Sequence, residues 1–568
     1  MERIQNYLMN RKNNLPSFAF LFLGAAIFSA LGFGIGQNVG EIKPPILDAA
    51  AELIGLSFTA QEKDSMISTL TTHRSNYELL RKHKLDNSVG PSLVFNPLPQ
   101  GFLPSQHQES YDWGLPTLVP LPTADVDLAF MPVHQLSVLI KSRQLTSERL
   151  TQLYIERIKT HSDTLKCLVT LLEERALNQA RALDRELAAG TYRGPLHGIP
   201  FGVKDLFSLP GTKTTYGAMP YKDQVLDETA TIIITKLEDA GGVLVGKFTL
   251  GALAMGDVWY GGITKNPWNL KQGSSGSSAG SASAVSAGLV PFAIGTETLG
   301  SIVSPSTRNG VTGLRPTFGR ISRHGAMALS WSMDKVGPIS RSVLDNAIVL
   351  SILNGIDPKD PATIPAAFNY SVKNEVKNLK VGYFSSFFEG NRPGIENDRA
   401  VLDLLKNQGI FLHPVVLKTN VNPGPLVSML LVEGAAAFDE LTRLGLDDQL
   451  VAQHKGAWPN VFRAARLIPA VEYIQMSRQR SLLTEEIHAL MKEYDVIVTP
   501  SFAGQQLQIT NLTGHPALCL PNGFGANGSP TSITLLANLF EEEKLIMLGR
   551  LIQENSEWQA KRPPLFSK

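Results

Sequence analysis

Residues 273–306 read GSSGSSAGSASAVSAGLVPFAIGTETLGSIVSPS, a stretch with ten serines and six glycines. A flexible Gly/Ser linker has this kind of composition. This stretch, however, also contains the apolar run AGLVPFAIG and lies between segments with clear hydrophobic patterning. Linkers rarely have either feature. Glycine and serine are required where backbone N–H groups must approach a ligand closely and where small hydroxyls must line a site. The spacing predicts a tight serine loop, then a helix of small residues after Gly276, then an apolar strand over LVPFAIGTET.

The rest of the chain predicts the framework around that stretch. IPFGVKDLF, GGVLVGKF, LKVGYF, DVIVTPSF, PALCLPNG and TSITLLANLF read as strands and alternate with helical patterns. Such alternation predicts an α/β body around a mainly buried sheet. Thr146 caps SERLTQLYIERIKTH, with Glu148 in its first turn. LLEERALNQARALDRELAA stops at Gly190, the residue type expected just beyond a helix end. The body is expected over residues 126–568. Residues 37–125 read as a helical lead-in followed by a proline-rich extended linker over the body's surface.

Residues 13–40 carry no charge, and Arg3, Arg11 and Lys12 precede the apolar run PSFAFLFLGAAIFSALGFGIG at 16–36. A basic flank before about 20 apolar residues is the layout of a signal peptide or membrane anchor. Residues 1–36 are therefore expected to be one or the other, with membrane association through 16–36. The body is then expected outside the cytoplasm, exported or membrane-anchored. The alternative is a buried core helix. The net charge of +1 gives no electrostatic reason to expect nucleic acid. Cys167 and Cys519 lie far apart without a CxxC, which argues against a disulfide framework and a structural zinc. Neither metal-ligand spacing nor a phosphate loop is present, so no cofactor is expected.

Two nucleophile arrangements compete at the level of short motifs. Gly276–Gly280 matches GxSxG, which would make Ser278 the nucleophile of a strand–turn–helix elbow. The preceding KNPWNLKQGSS reads as turn-like and polar rather than as the strand that elbow needs. A histidine triad fares no better: His197, His324 and His515 each lie beside Gly or Pro in turn-like settings that suit structural roles.

A third arrangement comes from a resemblance. GIPFGVKDLF around Lys204, NPWN at 266–269, GSSAGSASAVSAG, GTETLGSI, VTGLRPTFGRISRHG at 311–325 and DKVGPISRSVLDNA at 334–347 are similar, in this order, to segments of the amidase-signature family. Weaker support lies in NLTGHPALCLP at 511–521. The resemblance implies an α/β fold with a large mixed β-sheet covered by helices on both faces. It implies cleavage of a carboxamide C–N bond through an acyl-enzyme on Ser301. Lys204 would be the base, and Ser277, after a cis Gly276–Ser277 bond, would bridge base and nucleophile. The N–H groups of Thr298, Leu299, Gly300 and Ser301 would form the oxyanion hole. Gly276, Ser278, Ser281 and Glu297 would support them.

The residues themselves agree with this division of roles. A serine hydroxyl is a weak nucleophile until a base takes its proton. A lysine serves if burial lowers its pKa, and Ile199, Phe201, Val203, Leu206 and Phe207 surround Lys204 in sequence. The alternative for Lys204 is a surface lysine paired with Asp205. Two departures from the family pattern bear on the pocket: Leu299 stands where many members have glycine, and Val303 where they have arginine. Met255, Trp259 and Tyr260 are candidate pocket residues, with core packing as their alternative role. The expected partner is a small-molecule amide. The alternatives are a broad esterase/amidase and the glutamine-hydrolysing component of an amidotransferase.

Overall fold

The computed structural model describes residues 41–226 and 231–568. The chain divides into two units at Leu85/Asp86. Before the division, Thr59 opens helix α1 (Ala60–Leu80) with a capping box. Its hydroxyl accepts from the Glu62 N–H, and the Glu62 carboxylate accepts from the Thr59 N–H. The apolar run 16–36 lies outside the described residues.

The larger unit is built on eleven strands. In chain order they are β1 (Leu168–Leu171), β2 (Pro200–Lys204), β3 (Val243–Phe248), β4 (Phe292–Glu297), β5 (Thr312–Arg315), β6 (Lys335–Ser340), β7 (Val381–Phe384), β8 (Leu412–Val415), β9 (Val496–Pro500), β10 (Ala517–Phe524) and β11 (Pro530–Leu536). They lie side by side as β1-β3-β2-β4-β6-β5-β10-β11-β9-β7-β8. β2 runs parallel to both β3 and β4, whereas β6 pairs antiparallel with β4 and β5. The sheet is therefore mixed, as the resemblance implies. Every residue of β2, β3 and β6 is buried. Strands buried on both faces need cover on both faces, which explains why these segments read as continuous apolar runs rather than alternating ones.

The helix signals hold locally. Thr146 Oγ1 accepts from the Arg149 N–H at the start of α2 (Ser147–Leu165). Helix α3 (Glu173–Ala188) ends just before Gly190, whose φ of 94° is left-handed. The extended stretch after Asp86 is fastened to the body by side-chain amides. Asn87 Nδ2 donates to the Ala328 carbonyl, and Gln108 Nε2 to that of Phe368.

Candidate active site

Lys204 ends β2 with its side chain fully buried. Its Nζ donates to Ser277 Oγ and to Thr296 Oγ1, both at 2.8 Å, with Ser278 Oγ at 3.3 Å and the Thr296 carbonyl at 3.4 Å. All four partners are neutral. Burial therefore pushes the ammonium pKa down to about 7, against the weaker opposing pull of Asp334 and Glu297. Asp205 is not its partner. Lys247 Nζ lies 3.0 Å from Asp205 Oδ1, with both side chains fully buried, and the Thr215 N–H and hydroxyl donate to Asp205 Oδ2. The surface-pair alternative for Lys204 is thereby replaced by a buried pair one residue away.

The serine loop is positioned by its glycines and by β4. The Gly276–Ser277 bond is cis. A Cβ on Gly276 would come 1.8 Å from the Gly256 carbonyl oxygen, so only glycine fits there. The Ser275 N–H donates to Asp257 Oδ2 at 2.8 Å. Helix α4 (Ala279–Ser286) follows, every residue buried. Ser278 Oγ accepts from the Thr296 N–H and donates to the Thr296 carbonyl, each at 3.1 Å. Ser281 Oγ donates to the Ile294 carbonyl at 3.1 Å. Both hydroxyls thus fasten α4 to β4. The Ser278 N–H donates to the Ser301 carbonyl at 3.1 Å, which brings the two serine segments into contact.

Contrary to the turn expected from its sequence, the segment before the loop does contain a strand, residues 269–273 paired with 265–266. It is a two-stranded ribbon outside the main sheet, and Ser278 is engaged with β4. An elbow nucleophile would instead stand exposed at the tip of a central strand.

The segment carrying Ser301 is held at both ends. On one side, buried Glu297 accepts from the Ile302 and Val303 N–H groups at 2.8 and 3.0 Å. Its other oxygen accepts from Arg315 Nη1 and Asn511 Nδ2, both at 2.8 Å. Burial alone would raise this carboxyl, but the Arg315 guanidinium and the four donated bonds hold it down at about 2. On the other side, Thr298 Oγ1 donates to Asp334 Oδ1 at 2.6 Å. Between the two clamps, Gly300 has φ of 93°, a conformation open to glycine at little steric cost. Leu299 and Ser301 are half-buried. Val303 is buried at the start of α5 (Val303–Asn309).

A cavity of about 190 Å³ borders Leu206, Thr296 and Thr298. Of the candidate pocket residues, Met255, Trp259 and Tyr260 are not in its lining. Trp259 is buried and packs edge-on against Tyr260, whose N–H donates to the Gly217 carbonyl. The histidines are engaged elsewhere. His197 Nε2 faces the Leu183 carbonyl at 3.0 Å, and His515 Nδ1 faces Thr513 Oγ1 at 2.7 Å. Sequence reasoning missed Thr296, Asp334, Arg315 and Asn511. All four lie inside segments already singled out for the resemblance, but nothing local signals that Asn511 meets a carboxylate 214 residues away.

A family model described as Amidase matches residues 149–511. A glutamyl-tRNA(Gln) amidotransferase subunit of Moorella thermoacetica is 30% identical over 490 residues, covering 78% of this chain and 99% of that protein. The protein of the same name from Roseiflexus sp. is 31% identical over 477 residues, covering 74% and 96%. Among solved structures, the native peptide amidase of Stenotrophomonas maltophilia matches with a TM-score of 0.68 at 29% identity, covering 78% of this chain and all of that one. The expectation of an exported or membrane-anchored body is corrected by these findings. Among the described residues, no helix is long and apolar enough to cross a membrane, and the relatives are, by name, components of a tRNA-linked amidotransferase.

Proposed function

The chain belongs to the amidase family, and on that premise we propose that it hydrolyses a linear carboxamide through an acyl-enzyme on Ser301. The observation that carries this reading is the buried Lys204 amine, 2.8 Å from Ser277 Oγ and with its pKa lowered to about 7. A neutral lysine has two N–H groups and one lone pair. The N–H groups suit the Thr296 hydroxyl and carbonyl, which leaves the lone pair for the Ser277 hydroxyl proton. Ser277 passes its proton to Lys204 and takes that of Ser301. Ser301 Oγ then bonds to the amide carbon. The carbonyl oxygen becomes an oxyanion, for which the N–H groups of residues 298–301 are the donors, each worth ~2.7–4 kcal/mol of barrier. As the C–N bond breaks, the proton returns through Ser277 to the departing nitrogen. Ammonia or an amine leaves. Water then attacks the Ser301 ester by the same relay and releases the acid.

A second reading takes the amide of glutamine as substrate, within a glutamyl-tRNA(Gln) amidotransferase. It is favoured by the identity to the Moorella and Roseiflexus proteins. Glutaminase activity that appears only on adding the other components of such an enzyme supports it. The first reading is tested with a fluorophosphonate probe. The wild-type protein is expected to be labelled at Ser301, and Ser301→Ala to be neither labelled nor active on amides. An unlabelled wild-type protein speaks against covalent catalysis at this residue.

A further inference from the structure

The cavity beside Thr296 and Thr298 has a lining that is more apolar than polar, with the side chains of Leu93, Val94, Leu206, Met327, Leu329 and Trp331 in its wall. It joins the proposed machinery directly. Thr296 Oγ1 is a partner of Lys204, and the Met327 N–H donates to the Leu206 carbonyl two residues beyond that lysine. One wall comes from the segment after Asp86. Asn87 fixes it with two bonds to Ala328, Nδ2 donating to the carbonyl at 2.9 Å and Oδ1 accepting the N–H at 2.7 Å. Leu93 and Val94 on that wall are 74% and 45% exposed. Two apolar side chains thus stand at the open edge of the cavity.

Except for Lys359, the charged groups Arg323, Asp334, Lys335 and Asp360 of the lining are committed within the protein. Arg323 embraces Asp360 with Nε and Nη2 at 3.1 and 3.0 Å and gives Nη1 to the Trp331 carbonyl. Buried Lys335 donates to the Met333 and Asn511 carbonyls. Asp334 accepts from Thr298 Oγ1 and from the Leu329 and Ser330 N–H groups. Lys359 stands exposed at the rim. Binding the ammonium and carboxylate of a free amino acid inside would require breaking one of these pairs, and an unpaired buried charge is strongly unfavourable. Volume sets the size of the occupant. An apolar cavity of about 150 Å³ accepts benzene, so about 190 Å³ takes a ring with one or two further carbons.

Building on the amidase reading above, we infer that the substrate amide carries one uncharged apolar group of about benzyl size, seated in this cavity with Leu93 and Val94 as its outer wall. The test measures kcat/KM of the full-length protein on 2-phenylacetamide, acetamide and L-glutamine. Phenylacetamide is expected to exceed acetamide by about 100-fold or more, from the apolar area buried, and L-glutamine to fall below phenylacetamide by at least as much. Leu93→Asp and Val94→Asp change exposed side chains. Each is expected to lower the phenylacetamide-to-acetamide ratio about tenfold, mainly through KM. L-Glutamine turned over as well as phenylacetamide, or a ratio that neither wall variant moves, overturns the inference while leaving catalysis at Ser301 standing. If no amide is hydrolysed and Ser301 resists the probe, the amidase reading falls and the substrate class falls with it.

Discussion

At the scale of single residues, two buried ionisable groups carry opposite consequences. Lys204 has lost its hydration and gained only neutral partners, so its charged form is disfavoured. A base with a pKa of about 7 gives kcat/KM a rising acid limb: tenfold per pH unit below about 7 and level above it. For stability the sign follows from proton counts. Between about pH 7 and 10.5 the unfolded chain holds a proton that the folded one lacks, so this group's contribution rises with pH across that window. Lys204→Met is expected to lower kcat by about 10³-fold or more, within the usual range for a lost base. Glu297 is the reverse case. Its folded pKa lies near 2, below the ordinary 4.5, so its stabilisation is complete above pH 4.5 and is lost as pH falls towards 2. That difference corresponds to about 3 kcal/mol. Glu297→Gln leaves Arg315 buried without its counter-charge and is expected to destabilise by about 3–5 kcal/mol in denaturant titration.

Among elements, the contact between α4 and β4 decides where the two serine segments meet. Its hydroxyl stitches pair with the Thr296 N–H and the Thr296 and Ile294 carbonyls of β4. Ser278→Ala removes the acceptor of the Thr296 N–H and the donor to its carbonyl. A buried polar group left unpaired costs about 1–3 kcal/mol, so this variant is expected to unfold at lower denaturant by that amount. Because Thr296 also holds Lys204, the displacement is expected to reach the pH profile, shifting the apparent pKa of kcat/KM. A substitution that weakened packing alone would lower the denaturation midpoint and leave that pKa in place. The elements themselves were largely legible. The strands over 200–204, 243–248 and 292–297, the helix after Gly276 and the cap at Thr146 follow from local apolar runs and turn residues. The ribbon at 269–273 was not, because a polar strand outside the core carries neither an apolar run nor a clean alternation.

Over the whole molecule, the relatives place a limit on what the catalytic unit needs. The Moorella protein is covered almost completely, 99%, by an alignment spanning 78% of this chain, and the division at Leu85/Asp86 leaves Asp86–Lys568 as one unit. A chain beginning at Asp86 is therefore expected to keep a single cooperative thermal transition and the kcat/KM of the full-length protein on its amide substrate. Starting it instead at residue 95 removes the Asn87 clamp and the Leu93–Val94 wall, and should raise KM for apolar amides. The sequence by itself determined the α/β class, the buried strands and the residue types of the site, because apolar periodicity, caps and glycine-dependent turns act over a few neighbours. Only the tertiary structure decided that Asp205 pairs with Lys247, that Arg315 and Asn511 steady Glu297, that Asp334 holds Thr298 beside the segment carrying Ser301, and that Met255, Trp259 and Tyr260 are not in the lining of the cavity. Those facts depend on strand order and on contacts between residues far apart in the chain, and a buried charge finds its partner by where the sheet places it rather than by its neighbours in sequence.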